Sequence, residues 1–117
     1  MSIQRHENGP RMSRVVVHNG TVYLAGLTAE ATVGKSVGEQ TKEILAKIDA
    51  LLKQGGTDKS KLLQAVIWLQ DIRVVDEFNK VWDAWVVPGQ TPARACIEAR
   101  LAAPALKVEI IAIAALD

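Results

Sequence analysis

Arg94, Asn79 and Glu109 are the polar side chains whose surroundings in the sequence give them chemistry to do. Arg94 follows Pro92-Ala93 and opens an alternating segment, so Arg94, Cys96 and Glu98 share one face of an extended strand. A guanidinium there offers a planar fork that takes both oxygens of a carboxylate. The plainer reading is a surface arginine at a strand end. Glu109 lies inside Val108-Glu109-Ile110-Ile111-Ala112-Ile113, where a carboxylate is costly unless it is paired or solvated. It either holds a reactive water and acts as a general base, or it alternates with Val108 and Ile110 onto a solvated face. Asn79 interrupts an apolar helical spacing between Val75 and Trp82, and its amide needs a partner, in a site or on a neighbouring backbone.

Other chemistries find little support. Cys96 is the sole cysteine, so no intrachain disulfide forms, which fits a reducing compartment. As a nucleophile it lacks a histidine at any recognisable spacing, and a lone buried cysteine behaves as a small hydrophobe. His6 and His18 are far apart without companion ligands, so no metal is expected. Gly34 and Gly38 make no phosphate loop. Trp68, Trp82 and Trp85 lack the basic interleaving of a nucleotide-stacking platform. Fourteen basic against 13 acidic residues leave a net charge of +1, which gives no long-range pull on nucleic acid. Met1–His6 has no apolar stretch behind its charges, and the run Ile110–Leu116 is too short to span a bilayer. The expectation is a cytoplasmic protein without nucleic-acid or membrane partners.

The elements that must position these residues are legible. A chain of 117 residues, about half of them apolar, builds one core, so residues 1–117 read as a single domain. Ile3–His6 reads as a short edge strand. Arg14–His18 and Thr21–Leu27 flank Asn19-Gly20, the strongest short hairpin signal. Ser36–Gln54 predicts a helix: Ser36 and Glu39 form a capping box, Val37, Ile44, Ile48, Leu51 and Leu52 make one stripe, and Gly55-Gly56 ends it. Leu62–Gln70 reads as a buried strand. Val74–Val87 predicts a second helix with Val75, Phe78, Trp82, Trp85 and Val86 inward, stopped by Pro88-Gly89. Ala93–Leu101 and Leu106–Ala115 complete the set, the latter central, with Pro104 in the turn between them.

The expected fold class is α+β, a mixed six-stranded sheet with two helices on one face. Leu62–Gln70 and Leu106–Ala115 carry apolar residues on both faces, yet the chain has no third layer to offer. Self-association covers such a face most economically.

Pro92-Ala93-Arg94 followed by Lys107-Val108-Glu109-Ile110 resembles the Rid family, the reactive intermediate deaminases, also called YjgF or L-PSP. The resemblance continues through Asn19–Gly26, Glu39-Gln40-Thr41, Trp68–Ile72 and Phe78–Trp82. It implies a chorismate-mutase-like fold and a homotrimer with clefts between subunits. It also implies hydrolysis of 2-imino acids, tautomers of enamines, to 2-keto acids and ammonia, without a cofactor. On that basis Arg94 would grip the substrate carboxylate and Glu109 would position the attacking water. Backbone groups near Cys96 would complete the site, with Asn79 beside them and Met12 and Ala25 in its lining. This chain carries Met12 where many members have Tyr, and Ala25 and Ala95 where many have Ser. Ile111 replaces a second Glu. The resemblance is thus to a divergent subgroup with a more apolar site that keeps the arginine. A non-catalytic module binding small carboxylates or proteins is the alternative. Ribonuclease action is disfavoured by the neutral charge and the absence of a histidine pair.

Overall fold

Asn19 and Gly20 take φ values of 51° and 73°, the left-handed pair that a tight two-residue hairpin demands. In the computed structural model, which describes residues 2–117, that hairpin joins β2 (Ser13–His18) to β3 (Thr21–Leu24); Met1 lies outside the described residues. Strand β1 (Gln4–Asn8) runs antiparallel along β2. Helix α1 (Val37–Gly55) forms half of the predicted capping box: the Ser36 hydroxyl accepts from the Glu39 N–H at 3.2 Å, while the Glu39 carboxylate accepts from the Ser36 hydroxyl rather than from its backbone N–H. It ends on Gly56 at φ 94°, the left-handed C-cap. Strand β4 (Leu62–Leu69), helix α2 (Val75–Trp85), β5 (Ala93–Glu98) and β6 (Val108–Ala115) follow.

The strands form one sheet in the order β1-β2-β3-β6-β4-β5. Only β4 and β5 are parallel, joined by the α2 crossover. As expected, β6 is central and both helices lie on one face. Several boundaries differ from the sequence reading: β1 is Gln4–Asn8 rather than Ile3–His6, β3 stops at Leu24 rather than Leu27, which bridges Ile110 separately, β4 ends one residue early at Leu69, and β6 begins at Val108 rather than Leu106. α2 is shorter at each end because Asp71 caps a 3₁₀ turn at Ile72–Val74 and the Lys59 ammonium takes the Trp85 carbonyl at 2.6 Å. β5 stops at Glu98 rather than Leu101, where the Glu98 carboxylate turns to accept the Ile72 N–H at 3.0 Å.

The sheet has two unlike faces. Along β6, Val108, Ile110, Ala112 and Ala114 are buried under the helices, and the alternate residues Glu109, Ile111, Ile113 and Ala115 are only half-buried. β4 repeats the pattern, with Ala65, Ile67 and Leu69 beneath the helices and Val66 and Trp68 on the other side. The helix-covered face holds the core, including Phe78, Ile44, Ile48 and Leu52, each essentially inaccessible. The other face has no covering layer and shows Tyr23 and Ile97 at 44% and 47% exposure.

Two polar devices tie the loops down. Glu43 accepts from the backbone N–H groups of Glu30, Ala31 and Thr32 and from the Thr32 hydroxyl, and Lys47 bridges Glu43 and Glu30. Burial alone would raise the Glu43 pKa; those donors outweigh it and bring it to about 2. The buried Gln40 donates to the carbonyls of Lys35 and Ala105 and accepts from the Lys107 N–H, so it pins the β5–β6 loop to α1. No helix among the described residues is long and apolar enough to cross a membrane.

Candidate functional site

Arg94 pairs with Ala65 in the parallel β4–β5 ladder, and Ala65 faces the helices. The same register places Cys96 beside Ile67 and Glu98 beside Leu69, so all three β5 residues point to the helix side, as their spacing predicts. There Arg94 meets α2. Its Nη1 donates to Asn79 Oδ1 at 2.9 Å, and its guanidinium carbon lies 5.5 Å from the Trp82 ring and 5.8 Å from the Phe78 ring. Asn79 therefore finds its partner in a candidate site residue, not on the backbone. The Arg94 side chain itself is exposed, and its Nε and Nη2 carry no acceptor among the described residues.

Cys96 is partly buried against the core. Burial pushes its thiol pKa up, and the nearby Arg94 guanidinium pulls only part of the way back. A protonated thiol is a poor nucleophile, which leaves Cys96 a packing residue beside Arg94.

Glu109 is on the opposite face. It pairs with Trp68 across β4–β6, and Trp68 is out of phase with Ala65. Reciprocal backbone bonds between Leu27 and Ile110, at 2.9 and 3.1 Å, bring Gly26 against the Glu109 carboxylate. A methyl group on Gly26 would collide with Glu109 Oε2, so the carboxylate rests on bare backbone. The Glu109 carboxylate has no hydrogen-bond or ion-pair partner among the described residues. It borders a cavity of ≈240 Å³ together with Trp68, Arg100, Leu101 and Ala102. That volume falls short of the roughly 300–1,000 Å³ typical of a complete ligand site.

Ala25 donates its N–H to the Arg14 carbonyl at 3.0 Å, which extends the β2–β3 ladder by one rung beside Glu109's neighbour Gly26. Met12, half exposed, lies just before β2 at the same end of the sheet. The predicted residues thus divide into two groups. Arg94, Asn79 and Cys96 gather at the helix side of the β5 edge. Glu109 and Ala25 gather on the uncovered face, with Met12 at its end. One copy of the chain cannot bring Arg94 and Glu109 to a single substrate, because the sheet lies between them.

The sequence reading missed Gly26, Trp68 and Arg100 beside Glu109, and it took Phe78 for core and Trp82 for core or interface. An aromatic pair four residues apart, straddling a site asparagine, was the available signal for the last two. A larger groove of ≈800 Å³ between α1 and α2 contains none of the predicted site residues. Among the described residues, no cluster of His, Cys, Asp and Glu has the geometry to hold a metal ion.

Residues 4–116 match the family model described as endoribonuclease L-PSP. A RutC family protein of Haemophilus influenzae is 45% identical over 114 residues, covering 97% of this chain and 98% of that protein. The crystal structure of a YjgF family member from Neisseria meningitidis superposes with a TM-score of 0.96 at 45% identity, covering 100% of this chain and 97% of that one. The chloroplastic Reactive Intermediate Deaminase A of Arabidopsis thaliana is 28% identical over 109 residues, covering 89% of this chain and 58% of that protein.

Proposed function

The chain belongs to the L-PSP family, also called YjgF or Rid, and on that premise we propose that it hydrolyses 2-imino acids at a site shared between two copies in a homotrimer. The family includes a protein named a reactive intermediate deaminase. The observation that carries this reading is the Arg94 clamp. A guanidinium is anchored through Nη1 on Asn79 and keeps its Nε–Nη2 edge free for a carboxylate.

In the reaction a carboxylate docks on Arg94 of one copy. Glu109 of the neighbouring copy, with its free carboxylate, takes a proton from a water that attacks the imine carbon. The tetrahedral carbinolamine then collapses. Its nitrogen takes the water proton back from Glu109 and then the proton of the carbinolamine hydroxyl; as that O–H is lost to form the keto C=O, the C–N bond breaks, ammonia leaves and the 2-keto acid remains. An imine is already electrophilic, so orientation of water and substrate supplies most of the rate. No redox partner is required, since carbon and nitrogen keep their oxidation levels.

The test is turnover of imines made in situ by an amino-acid oxidase, followed against the uncatalysed background. Arg94→Ala should abolish hydrolysis, and Arg94→Lys should recover little, because an ammonium cannot reproduce the planar fork. With Met12 and Ala25 in the lining, imines from leucine or methionine should turn over faster than those from serine or glutamate. Wild-type turnover by Arg94→Ala refutes the clamp. Preference for serine- or glutamate-derived imines refutes the apolar lining. No acceleration by the wild type on any imine supports a carboxylate-binding module instead.

A further inference from the structure

Arg94 belongs to β5, an edge strand, and most of its length is exposed. An arginine in that position carries about 2 kcal/mol of rotamer entropy, which a ligand must freeze out unless the protein has already done so. One hydrogen bond to Asn79 fixes a single nitrogen and leaves the guanidinium free to swing about it. The plane needs a second support.

That support is aromatic. Phe78 and Trp82 are one helical turn apart on α2, with ring centroids 6.0 Å apart and planes inclined by 26°. Both rings lie within cation–π range of the Arg94 guanidinium carbon, at 5.8 and 5.5 Å. Phe78 is inaccessible and Trp82 is only 5% exposed, so core packing holds the platform rigid. The helix spacing places Asn79 immediately after Phe78, where its amide oxygen meets Arg94 Nη1 while the two rings lie 5.8 and 5.5 Å from the guanidinium carbon.

We infer that Phe78 and Trp82 are positioning residues: their stacked rings hold the Arg94 guanidinium in one plane, with its Nε–Nη2 edge presented to an incoming carboxylate before substrate arrives. The inference rests on the reading of Arg94 as the carboxylate clamp. It adds that affinity for 2-keto and 2-imino acids depends on the π faces beneath the arginine and not on the arginine alone. The face of the guanidinium turned away from the rings is then available to a flat, conjugated ligand. A 2-imino acid has that shape, since its C=N and carboxylate lie in one plane.

The experiment measures binding of 2-ketobutyrate, a stable 2-keto acid, by titration calorimetry, alongside the melting temperature of each variant. Trp82→Leu and Phe78→Leu should weaken binding by about three- to thirtyfold, the range for cation–π support. Trp82→Phe, which also loses packing volume but keeps a π face, should stay within about threefold of wild type. A purely structural role would instead make affinity follow melting temperature across all three variants. In the unmutated protein, the Arg94 Nε–Hε group, assigned by its absence in Arg94→Lys, should show an order parameter near the rigid value of about 0.85 without ligand. The inference is overturned if the Leu variants bind as wild type, if affinity merely tracks melting temperature, or if the Arg94 side chain is mobile until ligand binds. Wild-type binding by Arg94→Ala overturns the clamp itself, and the inference with it.

Discussion

Because Arg94 and Glu109 lie on opposite faces of one sheet, two inactive variants should restore each other when mixed. Consider Arg94→Ala, which lacks the clamp, and Glu109→Gln, which lacks the base. Removing a positioned acid–base group costs about 10²–10⁴-fold in rate, and unpairing a bound carboxylate about 2–5 kcal/mol, so each variant alone is nearly silent. In the proposed trimer each site would draw Arg94 from one copy and Glu109 from the next. When the variants are mixed in equal amounts and assemble at random, a given site receives an intact Arg94 half the time and an intact Glu109 half the time. About a quarter of all sites are then wild type. With a fraction x of one variant, recovered activity follows x(1 − x) and peaks at equal mixing. Co-refolding the two variants at graded ratios, confirming mixed trimers of three 12.7 kDa chains by native mass spectrometry, and measuring imine hydrolysis gives this curve. If one copy supplied both residues, no mixed site would hold an intact pair. Mixed trimers with no activity above the sum of the separate variants would therefore refute the shared site.

Two further outcomes follow from single contacts. Gly26→Ala pushes against Glu109 Oε2, the movable end of a side chain, so the fold should persist while the carboxylate shifts; turnover should fall about tenfold or more with little change in melting temperature, and unchanged turnover would mean that the placement of Glu109 is immaterial. Glu43 has a folded pKa of about 2 against 4.5 in the unfolded chain, so its contribution is complete above pH 4.5 and is lost as pH falls toward 2; its side chain is 16% exposed, which leaves about 1–2 kcal/mol after solvent screening, and urea midpoints at fixed protein concentration should show wild type losing more between pH 6 and pH 3 than Glu43→Gln.

What could be read in the sequence was what short spans of chain decide. The Asn19-Gly20 turn, the Ser36–Glu39 cap and the Gly56 stop each involve residues within a few positions of one another, and each is where it was expected. The same holds for the common face of Arg94, Cys96 and Glu98, which follows from strand alternation. The end of α2 was not legible, since it depends on Lys59 reaching the Trp85 carbonyl from a distant loop. Nor was the end of β5, which depends on Glu98 turning to the Ile72 N–H. Above all, alternation assigns residues to faces within one strand but not between strands. Placing Arg94 and Glu109 on opposite sides needed the long-range registers Ala65↔Arg94 and Trp68↔Glu109. Gly26 was missed for the same reason, as only the Leu27–Ile110 bridge brings it under Glu109.

Those registers also explain where this chain departs from the commoner family pattern. Ala95 pairs with Val66 and Val66 pairs with Ile111, so two of the departures share one row across β5, β4 and β6. Ala25 extends β3 toward the same uncovered face. Hydroxyls and a carboxylate at these positions would keep that face partly wetted. Ala and Ile make it a continuous apolar surface with Val66 and Ile113, which a neighbouring copy can cover at little desolvation cost. The Ala95 and Ile111 side chains face away from the group of Arg94, Asn79, Phe78 and Trp82, which lies on the other side of the sheet. The proposed carboxylate clamp can therefore stay fixed while the opposite wall of the proposed cleft loses polar groups. That division fits a protein that keeps the carboxyl group as its common handle and takes apolar side chains beyond it.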